Sequence, residues 1–133
     1  MTALDTPDFS AFFRALWGYD PFPWQSRLAQ RLCDGSGWPD LCDLPTSAGK
    51  TALLDIGVWH LATQAGLGAQ RTAPLRVVMC VDRRTIVDQA HGRASAIANA
   101  IGLARSGVLA NIRERLASFG RDGVPLTLSL IHI

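Results

Sequence analysis

The stretch Leu75–Val81 constrains the fold more than any other part of this chain. It is almost continuously apolar, and Asp82-Arg83-Arg84 break it abruptly. A transmembrane helix needs about 18 apolar residues, far more than this run holds. The run is also too unbroken for a strand with one wet face, so it predicts a strand covered on both sides in a parallel sheet. A second strand is predicted over Asp40–Leu44, between Pro39 and Pro45, and a third over Pro125–Leu130.

Helices are predicted between and before these segments. Thr6–Leu16 carries Phe9, Phe12, Phe13 and Leu16 as an apolar stripe, with Thr6 as N-cap, Pro7 in the first turn and Gly18 as the stop. Trp24–Cys33 sets Trp24, Leu28 and Leu32 on one face. Gly49–Gln64 is apolar almost all round, which predicts burial on most faces. Two more helices are expected over Thr85–Ala100 and Val108–Phe119, the first with Thr85 and Asp88 as a local capping box. Helix, helix, β, α, β, α, α, β is the order of an open parallel α/β sheet, which binds ligands at the carboxyl ends of its strands.

One of those ends carries Pro45-Thr46-Ser47-Ala48-Gly49-Lys50-Thr51. The phosphate-loop pattern G-x-x-x-x-G-K-[ST] is met at its last three positions, with Leu44 in place of the first glycine. In this arrangement the N–H groups of Ser47, Ala48 and Gly49 curl around a phosphate, and Gly49 has no side chain to block the approach. Lys50 reaches the outer phosphates as a compact, rotatable charge, and the Thr51 hydroxyl ligates Mg²⁺. Of thirteen basic residues twelve are arginine, and Lys50 is the single lysine. An ordinary helix start that happens to contain Gly-Lys-Thr is the competing reading.

Composition excludes some classes. The chain is 48% hydrophobic and 18% charged, enough apolar material for one core, and its formal charge of +2 is too mild to mark a nucleic-acid binder. The first residues lack the basic and apolar regions of a secretory signal. Cys33, Cys42 and Cys80 form no C-x-x-C pair, so small buried thiols in a reducing cytoplasm are expected. His60, His91 and His132 have no metal-ligand spacing.

The P-T-x-x-G-K-T form of residues 45–51 resembles motif I of superfamily 2 helicases. Phe22-Pro23-Trp24-Gln25 resembles their Q-motif, which implies that Gln25 reads adenine beside Phe22, Tyr19 or Trp17; a solvent-facing Gln25 is the alternative. Val77–Ala90 resembles motif Ia, which implies that Arg83 and Arg84 contact a nucleic-acid backbone, against the alternative of a solvated charge pair. Asp82-Arg83-Arg84-Thr85-Ile86-Val87-Asp88-Gln89 is similar to the CRISPR-associated helicases of type I systems.

The resemblance, over about residues 17–127, implies an incomplete RecA-like P-loop NTPase lobe of an antiviral ATP-dependent DNA helicase. Lys50 is then catalytic, Gln25 and Thr46 through Thr51 bind ATP, and Thr51 holds Mg²⁺. DNA, a crRNA-guided surveillance complex and an HD nuclease are the implied partners. Residues 1–39 are N-terminal helices with the Q-motif-like segment, and 40–127 are the partial lobe. Leu128–Ile133 matches what the transposon end used in sequencing-library preparation encodes in frame, against the alternative of a real C-terminal strand. The acidic pair and second lobe required for hydrolysis are missing, so this fragment alone is expected to be inactive. A generic superfamily 2 helicase, a non-helicase phosphate-loop protein and a truncated module without activity remain open.

Overall fold

The computed structural model describes residues 7–45, 48–120 and 122–128. Among these residues five α-helices follow one another: α1 Phe9–Trp17, α2 Pro23–Cys33, α3 Leu53–Thr63, α4 Arg84–Leu103 and α5 Gly107–Ala117. Single 3₁₀ turns lie at Lys50–Ala52 and Gly68–Gln70.

No described residue belongs to a strand, and this overturns the predicted parallel-sheet, RecA-like lobe. The cause lies in where the apolar surface goes. A strand is stable only when its backbone joins a ladder. Residues 40–45 and 75–81 are without helical structure and make no such ladder. The predicted strand 125–130 likewise shows none over 125–128, and its last two residues lie outside the described set. Burial is achieved helix against helix instead. Val78 is 80% exposed and Leu41 equally so, where a doubly covered strand would bury them.

The five helices match the predicted ones with shifts at their ends. Asp8, not Thr6, caps α1: its carboxylate accepts from the Ala11 N–H at 3.1 Å, and left-handed Gly18 closes the helix. Thr6 lies outside the described residues. The Thr85–Asp88 capping box does not form, because α4 starts one residue earlier with Arg83 at its N-cap. The helix expected from Gly49 begins as the 3₁₀ turn and becomes α-helical at Leu53.

At the centre α3 packs against α1, α2 and α5, and α4 closes over α5. The core joins Phe9, Phe12 and Phe13 of α1, Leu28 and Leu32 of α2, Ile56 and Trp59 of α3, Ile97 and Ile101 of α4, and Ile112 and Leu116 of α5. The indole N–H of Trp59 donates to Pro7 O at 2.8 Å, which ties the first described residue to α3. The cysteines correct another expectation. All three are exposed rather than buried, since Cys42 and Cys80 lie on the two unpaired segments and Cys33 ends α2 away from the core.

His60 is buried on α3, its ring edge-on to Trp38. Gln64 fixes its tautomer. Gln64 Oε1 accepts from the N–H groups of Thr72 and Ala73, so its amide nitrogen faces His60 Nε2 at 3.2 Å and donates to it. The imidazole proton then sits on Nδ1, which is buried without a partner among the described residues. Burial pushes the His60 pKa below its ordinary value of about 6.5. As the pH falls below that value the unfolded chain takes up a proton that the folded chain refuses. The contribution to stability is therefore complete above pH 6.5 and is lost on acidification toward the lowered value. Urea unfolding should show stability declining from pH 7 to pH 5, and His60→Leu should flatten that decline.

Candidate functional site

The loop that the sequence singles out is held against α2 by two side chains. Trp24 Nε1 donates to Ala48 O at 2.7 Å, and Gln25 Nε2 donates to Gly49 O at 3.0 Å. Gln25 Oε1 accepts from the Phe22 N–H at 2.8 Å, the return half of a capping box at the start of α2. Two consecutive carbonyls thus point at α2. Gly49 sits in the left-handed region at φ +76°, and right-handed Lys50 follows. A left-handed residue before a right-handed one turns successive N–H groups into one concavity. The N–H groups of Gly49, Lys50 and Thr51 donate to no described residue. Lys50 is exposed and Thr51 half-buried beside them.

Glycine at 49 is required twice over. Its φ is one that side chains rarely adopt, and a Cβ there would lie 2.8 Å from Gln25 Nε2 and 3.0 Å from the Phe22 ring. Thr46 and Ser47 lie outside the described residues. Ala48 takes part through its carbonyl, turned toward α2 by Trp24.

Gln25 is placed differently from both sequence readings. At 2% exposure it is neither solvent-facing nor open to a nucleobase, and its amide is engaged with the loop and the N-cap. Of the candidate aromatics, Phe22 packs beside Gly49 and exposed Tyr19 lies edge-on to Phe13. Tyr19, Phe22, Gln25, Gly49 and Arg93 border a cavity of about 70 Å³, room for about two waters. A larger cleft of about 370 Å³ lies elsewhere, among Pro7, Asp8, Ser26, Gln30 and Cys33 with Trp59 at its floor.

Trp17 has another task. Its indole N–H donates to Asp55 Oδ2 at 2.6 Å, and Arg93 grips the same carboxylate with Nε at 2.7 Å and Nη2 at 3.0 Å. The Arg93 guanidinium lies 4.2 Å from the centre of the Trp17 indole. Asp55 is wholly buried, so α1, α3 and α4 meet at one fully hydrogen-bonded charge. Sequence reading missed this cluster. Its one visible sign was an aspartate in an otherwise apolar helix, which demands a buried partner.

Arg83 and Arg84 are exposed at the start of α4, on a different element from the loop. The first turn of α4 has no acidic residue to offset them, although Asp82 precedes them. Two arginines at the positive end of a 20-residue helix concentrate rather than cancel its field. Among the described residues no cluster of three His, Cys, Asp or Glu side chains is placed to hold a metal, and no helix is long and apolar enough to cross a membrane. No family model matches the chain, and no curated protein or solved structure matches it either.

Proposed function

We propose that this chain binds the phosphates of a nucleoside triphosphate, ATP in the first instance, on the loop Pro45–Thr51. The observation that carries the reading is the pinned loop. Its carbonyls are drawn to α2, left-handed Gly49 turns together three N–H groups that donate to no described residue, and the chain's one lysine stands exposed beside them. Lys50 supplies the charge for the outer phosphates and Thr51 a hydroxyl for the accompanying Mg²⁺. One hydroxyl does not hold Mg²⁺, which keeps several waters and relies on the phosphates. The metal therefore enters with the nucleotide. Gln25 and Trp24 shape the loop in this reading, and Phe22 walls it.

The motif resemblances extend the proposal to the nucleotide-binding part of an ATP-dependent DNA helicase of the CRISPR-associated type. Arg83 and Arg84 would hold the DNA backbone, and a crRNA-guided complex and an HD nuclease would act alongside. Three exposed free thiols suit a reducing, cytoplasmic setting. The helical fold favours a narrower second reading, nucleotide binding without unwinding, because the two-lobed motor requires the sheet that the described residues lack.

Titration of a fluorescent ATP analogue into the chain with Mg²⁺ tests the core of the proposal. Binding should weaken by about tenfold in Lys50→Ala, the loss of one charge-assisted contact, and Arg83→Glu should leave it unchanged. Equal binding by wild type and Lys50→Ala refutes the phosphate assignment. Single-stranded DNA binding lost in Arg83→Glu/Arg84→Glu, and retained in Lys50→Ala, would support the helicase extension.

A further inference from the structure

The apolar stretch 75–81 belongs to neither a helix nor a strand. No backbone group of residues 76–81 is hydrogen-bonded to a described residue. The segment nevertheless touches the helical body. Val77 reaches α3 at Gly57, where an added Cβ would stand 3.2 Å from Val77 Cγ2. Val77, Met79 and Val81 are 53%, 36% and 36% exposed, and Val78 beside them is 80% exposed. Val78 thus stands further into solvent than Val77, Met79 and Val81, an offset compatible with the two-residue period of a strand. Val77–Val81 is apolar, with β-branched valine at three of its five positions, uncharged and free of proline, the composition that recruits another strand to an open edge.

Arg76 and Asp82 bracket this run, both exposed and neither in an ion pair among the described residues. They identify the occupant. Two copies of the segment placed antiparallel about Met79 bring Val77 opposite Val81, Val78 opposite Cys80, and Arg76 opposite Asp82. The two-fold axis makes that charge pair twice. Leu75 then faces Arg83, so no like charges meet. The register keeps residues 77, 79 and 81 on one face and 78 and 80 on the other, as cross-strand pairing requires. We infer that the chain forms an isologous dimer by antiparallel pairing of residues 76–82 of two copies, in the register that sets Arg76 against Asp82.

Sedimentation equilibrium of the 133-residue chain, from micromolar to submillimolar concentration, tests this directly. The wild type should pass from monomer to dimer. Arg76→Asp alone, or Asp82→Arg alone, should raise the dimer dissociation constant by about tenfold, since each replaces two attractions with two repulsions. The double variant Arg76→Asp/Asp82→Arg should restore it. Both positions are exposed, so circular dichroism should show unchanged helicity in all variants. The register has its own test with Cys33, Cys42 and Cys80 replaced by serine. Met79→Cys should then cross-link the two copies on mild oxidation, whereas a chain keeping only Cys80, which faces Val78, should not. A wild type that stays monomeric throughout overturns the inference, as does a double variant no tighter than the singles.

Discussion

Asp55→Ala should lower the stability of this protein by about 3–5 kcal/mol, the largest effect of any single substitution considered. The carboxylate is fully buried and takes three hydrogen bonds, one from the Trp17 indole and two from Arg93. Removing it leaves the guanidinium facing the indole with its charge uncompensated and the Trp17 N–H without an acceptor. Both desolvation costs then go unrecovered. The same cut removes the one described charge pair that links helices, so α1, α3 and α4 are left joined by their apolar packing. Urea denaturation should show the midpoint falling with little change in slope. Arg93→Met should cost a comparable amount, since it leaves the wholly buried Asp55 carboxylate with the indole bond alone. If Asp55→Ala proves as stable as wild type, the cluster adds nothing to the packing of the three helices.

Gly49→Ala should cost about 2–3 kcal/mol and weaken nucleotide binding together with stability. A side chain in the left-handed region costs about 1–2 kcal/mol by itself. The new Cβ would also stand 2.8 Å from Gln25 Nε2 and against the Phe22 ring, so the amide must leave Gly49 O and give up a bond worth about 1 kcal/mol. Thermal unfolding and titration of the ATP analogue measure the two consequences separately. Gln25→Glu sharpens the test. The carboxylate keeps the acceptor for the Phe22 N–H but has no donor for Gly49 O, so it should reproduce the loop defect without backbone strain. A Gly49→Ala chain that binds the analogue like wild type would dissociate the loop geometry from nucleotide binding.

The same positions show how far the sequence can be read. The five helices were legible because each carries its apolar residues at helical spacing and ends at a glycine, proline or polar turn. Phe9, Phe12 and Phe13 predicted their own burial in this way, and the three are the α1 face of the core. Gly49-Lys50-Thr51 was legible as a loop entering a helix because glycine permits what other residues do not. Its latch was half legible: Gln25 was marked as functional, but its contact with Gly49 O joins residues 24 apart and has no local signature.

The strands show the opposite case. An apolar run such as Val77–Val81 states that burial is favourable and leaves open what provides it. A helix satisfies its own backbone, so local spacing suffices to specify one; a strand depends on a partner that must come from elsewhere in space. The sequence by itself therefore determined the helices, the apolar faces they bury and the loop that requires glycine. Tertiary structure alone decided that 75–81 stays unpaired, that Asp55 finds Arg93 and Trp17 across 38 residues, and that Gln25 holds a loop. The physical reason is common to all three: each depends on contacts between distant segments, and burial energy selects those contacts only after the helices have packed.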